Sequence, residues 1–219
     1  MTFDFHTHSF LFFFFLSPIE LIRRAHVAGY RAIAVTDHVG LANMEQVIRE
    51  VSRDCLLAEK HWGIKALPGV ELTHVPAAAI NECAKMAKKL GAKVVVVHGE
   101  TPVEPVEAGT NRAALMSSYV DILAHPGFIT TEEAQIALVN QIYLEITARG
   151  GHSLTNGHVA KVGLAVGAKL IVNSDSHSPD NIMKAGFAAK VAQGAGIPVE
   201  FLESVLLNHP LELLKRFEA

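Results

Sequence analysis

Residues 93–100 read Lys93-Val94-Val95-Val96-Val97-His98-Gly99-Glu100. Four valines in succession, with no polar residue between them, describe a strand buried on both faces. Such strands belong to parallel sheets covered by helices. Short runs of the same kind stand on either side, at 2–6, 32–36, 65–71, 121–125, 142–146 and 169–173. Segments of helical periodicity separate them, at 18–28, 44–61, 80–90, 112–118, 131–140, 156–166 and 179–193, with a last amphipathic piece at 199–217. Helix punctuation fits this division. Ser17-Pro18 reads as N-cap and N1, with Glu20 placed for a capping box. Gly29, Gly91 and Gly167 fall where helix C-caps belong.

Strand and helix alternating through 219 residues, with no linker or short repeat, predict an α/β fold of one domain over 1–219. The expected architecture is a distorted TIM-like (β/α)7 barrel, with a doubly wound open sheet as the competitor. Composition bounds the function. Half of the chain is hydrophobic and the net charge is −3, so a globular protein is expected. There is no basic stripe that would mark strong nucleic-acid affinity. Cys55 and Cys83 form no metal or disulfide motif, which fits a reducing cytoplasm. The start of the chain lacks a positive n-region, and the longest apolar run, Phe10 to Leu16, is too short for a bilayer.

Twelve histidines are the compositional outlier, and their places matter more than their number. The predicted strands end in His6-Thr7-His8, Thr36-Asp37-His38, Gly69-Val70-Glu71, Val97-His98, Ala124-His125-Pro126 and Ser174-Asp175-Ser176-His177. In a parallel barrel those ends open on one face, where chemistry is done. Any one motif is weak. Six of them at strand ends predict a shared metal centre, and mixed imidazole and carboxylate ligands suit zinc, manganese or iron.

These motifs, in this order over residues 1 to about 180, resemble the polymerase and histidinol phosphatase (PHP) superfamily. The resemblance implies a distorted seven-stranded barrel with two or three divalent ions that hydrolyses phosphoesters. It implies that His6, His8, Glu71 and Asp175 hold one ion and that Glu71, His98 and His125 hold a second. His38 and His177 would contribute to a third. Glu71, His98, His125 and Asp175 would thus carry the catalysis. The family's polar loop after the first H-x-H is replaced here by Phe10-Leu11-Phe12-Phe13-Phe14-Phe15-Leu16, which offers the third ion no donor.

Asp37 and Glu100 are expected either to orient ligand histidines or, for Asp37, to cap a helix. Arg112, opening a helix, and Arg149, following the sixth strand, are expected to bind phosphate through their guanidinium groups. Asn156, His158 and Asn173 are weaker candidates, with His158 structural. His26, His61 and His209 read as surface residues, and His74 is open. The expected substrate is a small phosphorylated metabolite or nucleotide. The competing readings are a metal-dependent nuclease and a non-catalytic metal-binding scaffold. Amidohydrolases share a barrel and an early H-x-H, but usually use a metal-bridging lysine, and no lysine ends a predicted strand.

Overall fold

The computed structural model describes residues 2–9 and 16–218. The phenylalanine run at 10–15, and the expectation that it borders the metal opening, lie outside them. The strands are β1 (Thr2–Asp4), β2 (Tyr30–Val35), β3 (His38–Val39), β4 (Lys65–Leu72), β5 (Val94–His98), β6 (Ile122–Ala124), β7 (Tyr143–Thr147) and β8 (Leu170–Asn173). The helices are α1 (Pro18–Val27), α2 (Met44–Trp62), α3 (Ile80–Leu90), α4 (Thr110–Leu115), α5 (Thr131–Asn140), α6 (Asn156–Val166), α7 (Phe187–Gly194), α8 (Val199–Glu203) and α9 (His209–Glu218). All strand pairs are parallel, in the order β1-β2-β4-β5-β6-β7-β8, and β3 extends the β2 path along β4.

The strand order never reverses, which rules out the doubly wound sheet. The ends of the sheet meet just beyond the strands. Thr7 bridges Ser176, His8 N donates to Ser176 O at 2.9 Å, and Asp175 N donates to His6 O at 2.9 Å. The result is a nearly closed barrel.

The valine run shows how the pleat divides the core. Val94 and Val96 pack inside the barrel with Phe3, Phe5, Leu67, Ile122, Tyr143 and Ile171. Val95 and Val97 pack outward against the helices. Leu213, Leu214 and Phe217 of α9 join the interior cluster and close one end of it. Phe217 stands edge-on to Phe5 at 6.4 Å.

Three local expectations are corrected. Residues 179–193 are not one helix. A 3-10 turn at Pro179–Asn181 is followed by irregular chain until Gly186, whose φ of +78° breaks helical geometry, and α7 starts after it. The 199–217 piece contains a π turn at Ser204–Asn208. Pro210 lies two residues further on and has no N–H for the regular ladder. Ser17 caps α1 by accepting from Glu20 N, but the Glu20 carboxylate pairs with Arg24 instead of completing the box. Among the described residues no helix is long and apolar enough to cross a membrane.

Candidate metal centre

Strand parity places the ligands. With Val94 and Val96 inside the barrel, His98 is next on that face. In β4, Leu67 points in while Ala66, Val70 and Leu72 point out, so Glu71 also falls inside. In β6 parity works against the ligand. Ile122 and Ala124 face in and Leu123 faces out, so residue 125 is due to face the helices. The backbone of His125 takes φ +28° instead, turning its ring toward Glu71 and Asp175. Asp175 sits at φ +50° and His74 at φ +52°. Of four non-glycine residues with positive φ among those described, three therefore lie at this face. Such strain collects where side chains must be aimed.

The aimed groups converge. His38 Nε2 lies 2.9 Å from Glu71 Oε2, and His6 Nε2 lies 3.3 Å from Glu71 Oε1. His8 Nε2 is 3.2 Å from Asp175 Oδ1, and His177 Nδ1 is also 3.2 Å from that oxygen. His125 Nε2 is 3.7 Å from both carboxylates. One ion bonded at about 2.0–2.2 Å to nitrogen and oxygen ligands spaces them about 2.9–3.5 Å apart, so the closest of these separations match a shared cation. A void of about 20 Å³ opens among His38, Glu71, His98, Glu104, His125, Arg149, His152, Asp175 and His177.

The chemistry of the donor set passes a second test. His6 Nε2, Glu71 Oε1, His125 Nδ1 and Asp175 Oδ1 are buried without a hydrogen-bond partner. Such atoms are costly to bury unless something else satisfies them, and for three of them the facing groups are one another. A divalent ion would do so. Sets of donors mutually within 4.8 Å are His6–His8–Asp175, His6–Glu71–His125, His8–His38–His177 and His98–His125–His152.

Without an ion the electrostatics are polarised. Burial opposes a charge on His6, but the carboxylates of Glu145, Asp175 and Glu71 hold its pKa well above the ordinary range. Burial disfavours ionised Glu71, yet His6 and His38 keep it well below the usual carboxylate range. Burial drives Asp175 well up, with His6 opposing and Glu71 adding to the rise. His125 and His8 are pushed well down, first by burial and then by neighbouring imidazoles. A histidine held neutral is the form that ligates a metal.

Around these groups stands a ring of supports. His6 Nδ1 lies 2.7 Å from Glu145 Oε2, which also accepts from Asn173 Nδ2 at 2.9 Å. Glu145 was absent from the sequence-based candidates. Its signal is a charged residue on the inward parity of an otherwise apolar strand, between Tyr143 and Thr147. Asn173 also accepts from Phe5 N, so it spans the β8–β1 seam. Glu104 and His152 were missed as well, and they face the void. Glu104 stands on a loop and His152 opens the 3-10 turn His152–Thr155, where no periodicity announces them.

Other expectations are corrected. Asp37 neither caps α2, whose N-cap position is Asn43, nor bonds a ligand histidine. It accepts from both the amide and the hydroxyl of Ser9. Glu100 accepts from Gly109 N and Asn111 N, so it fastens the start of α4 rather than a histidine. Arg112 donates to Glu132 at 2.8 Å on the exposed surface and does not line the void. An exposed carboxylate one helix away captures a long exposed guanidinium more readily than a distant cleft. Arg149 does line the void, with Nε 3.9 Å from Asp175 Oδ2. It also borders a cavity of about 340 Å³ with Ser174, Asp180, Lys184 and Phe187. Asn156 serves the backbone of Thr147, His158 pairs with Ile129 O, and His209 is tied to Leu170 O rather than free on the surface. His74 pairs with Glu104.

No family model matches the chain. Among solved structures, a Xaa-Pro dipeptidase with methionine bound in its active site superposes with TM-score 0.64 over 99% of this chain and 75% of that one. At 14% identity that likeness is one of fold. A "Probable phosphatase" of Thermoanaerobacter sp. is 27% identical over 98% of this chain and 93% of its own length. The uncharacterized protein MJ1295 of Methanocaldococcus jannaschii is 49% identical, over 99% of this chain and all of its own. The chain with its histidine-lined barrel mouth belongs to the same family as MJ1295.

Proposed function

We propose that the chain is a metal-dependent hydrolase of phosphate monoesters, of the polymerase and histidinol phosphatase kind, acting on a small phosphorylated metabolite or nucleotide. One observation carries this reading. Two buried carboxylates, Glu71 and Asp175, meet the ring nitrogens of histidines from several strand ends, and their unsatisfied atoms face one another. His6, His8, Glu71 and Asp175 would hold one ion, and Glu71 with His98 and His125 a second. His38 and His177, beside His8, would take part in a third. When bound, zinc, manganese or iron there would act as Lewis acid on phosphoryl oxygens and acidify the attacking water.

The chain's own residues do the rest. Glu145 orients His6 and keeps its Nε2 turned to the centre. Arg149 faces both the void and the neighbouring cavity, so its guanidinium binds the phosphate while the rest of the ester lies toward Lys184 and Phe187. The relative named "Probable phosphatase" supports this class. A metal-bridging lysine of the amidohydrolase kind has no counterpart, since among the described residues no lysine lines the void. Elemental analysis and a panel of phosphate monoesters, with and without chelator, test the reading. Turnover should require metal, and Glu71→Gln should lose both metal and turnover while staying folded. A metal-replete protein inert toward the whole panel would overturn it.

A further inference from the structure

His152 is buried, lines the void and stands against two expected ligands of the second ion. Its ring centre lies 4.2 Å from that of His125 and 5.6 Å from that of His98, and those two are 4.5 Å apart. We propose that His152 is a further ligand of that second ion, beside Glu71, His98 and His125. The inference rests on the barrel mouth being a metal centre, not on which ester is cleaved there.

The rings are placed as imidazoles around one cation. A nitrogen bonded at about 2.0–2.1 Å sets its ring centre about 3 Å from the ion, and tetrahedral angles then space ring centres about 5 Å apart. The three observed separations bracket that value. One ring nitrogen from each of His98, His125 and His152 also lies within 4.8 Å of the other two. The same holds for donors of His6, Glu71 and His125, so His125 joins the two groups. The tautomers agree. His98 Nδ1 faces the carbonyl oxygen of Gly99 at 3.2 Å, and a carbonyl only accepts, so in the neutral ring the hydrogen sits on Nδ1. His152 Nδ1 lies 2.9 Å from the Thr101 hydroxyl, which can accept in the same way. Both rings then present Nε2 lone pairs, and both meet the Glu104 carboxylate, at 3.2 Å from Oε2 and 3.3 Å from Oε1. Lone pairs facing carboxylate oxygens repel one another unless a cation stands among them. An imidazole fixed by its far nitrogen is the usual setting of a metal-ligating histidine.

The backbone brings the three rings together. β5, β6 and β7 are neighbours in the sheet, and His98 ends the first while His125 and His152 follow the other two. His152 opens a 3-10 turn whose start is fixed. Gly151 before it takes φ +88°, Ser153 N donates to Arg149 O at 3.0 Å, and Leu154 N donates to Gly151 O at 3.2 Å. With His152 the second ion has four protein donors, as the first has in His6, His8, Glu71 and Asp175. Three imidazoles and a shared carboxylate suit zinc or cobalt better than magnesium or calcium, which prefer oxygen ligands.

The test compares full-length wild type with His152→Phe, which keeps a ring beside His125 but no donor, and His152→Cys, which offers a thiolate. His98→Ala marks the binding step of the second ion. Each protein is titrated with Zn2+ against a chromophoric chelator and, separately, with Co2+ followed by absorption. Circular dichroism checks folding. Wild type should take up at least two ions. His152→Phe should weaken the step that His98→Ala weakens, by at least about tenfold, and leave the other step unchanged. His152→Cys should restore that step and add a thiolate-to-Co2+ charge-transfer band. Wild type should lack the band, since Cys55 and Cys83 are buried away from the mouth. A histidine that only packs or orients would give no such band on replacement. Its absence from folded His152→Cys would overturn the assignment, and so would unchanged affinity in His152→Phe, with the two-ion centre left standing. A wild type that takes up no ion would overturn the centre and this ligand together.

Discussion

The carbonyl oxygen of His6 accepts a hydrogen bond from the amide of Asp175 at 2.9 Å. Both residues are expected metal ligands, and they stand 169 positions apart, just past the first and last strands of the sheet. His8 N and Ser176 O repeat the contact one step further on. The seam that closes the barrel is therefore made largely of the backbone of the expected ligand residues and their neighbours. Closing the fold and assembling the site are one event, so changes at the seam should register both in stability and in metal binding.

Glu145 tests how the site is held. Glu145→Ala leaves His6 Nδ1 and Asn173 Nδ2 without their buried acceptor. Removing a partner that orients a ligand histidine costs about 10–100-fold in metal affinity, and an unsatisfied buried donor costs about 1–3 kcal/mol. Competition with a chromophoric chelator and urea unfolding should show both losses. Unchanged affinity would mean that His6 needs no support to ligate.

Arg149 and Arg112 should separate. Arg149→Ala should raise KM for a phosphate monoester about tenfold or more through lost charge-assisted hydrogen bonds, with metal content intact. Arg112→Ala should leave KM alone, because its guanidinium is engaged with exposed Glu132. Steady-state kinetics of the pair decide the matter, and equal effects would return Arg112 to the site.

Asp4 supplies a pH signature. It is buried beneath the seam, accepting from Ser174 N at 3.0 Å and from Tyr30 Oη. Burial raises its pKa from 3.8 to about 7, against the pull of the Ser174 and His6 hydrogen bonds. Between those values the folded protein keeps a proton that the unfolded chain has released, so stability falls as pH rises from about 4 to about 7. Asp4→Asn cannot titrate but keeps the Oδ1 acceptor. Urea midpoints on chelator-treated protein should fall less steeply for Asp4→Asn across that interval. Parallel profiles would show that Asp4 does not keep its proton on folding.

Gly127 holds two ligand loops together. With φ +62°, an added Cβ would stand 1.9 Å from the carbonyl oxygen of Glu100. Gly127→Ala should destabilise by at least about 1–3 kcal/mol, the scale for a non-glycine residue forced into a left-handed backbone. Gly150→Ala, where nothing lies within 4 Å, is the control. Thermal unfolding should separate them clearly, and matching Tm values would mean that the loops move apart at no cost.

The sequence by itself determined the barrel and which strand ends bring histidines and carboxylates to its mouth. Valine-rich strands that do not alternate must be covered on both faces, and period two carries Val94 and Val96 on to His98, and Leu67 on to Glu71. Those are local rules, readable in one segment at a time. What the tertiary structure decided lies in the loops and between strands distant in sequence. Asp37 turned to Ser9, Glu100 to the start of α4 and Arg112 to Glu132, each a choice among polar partners that only the closed chain brings within reach. Glu145 found His6 across 139 residues, and Glu104 met His74, His98 and His152 from three other segments. A strand's pleat fixes where its side chains point. A polar side chain on a loop, free of any repeat, is placed by whichever charge or donor the folded chain sets beside it.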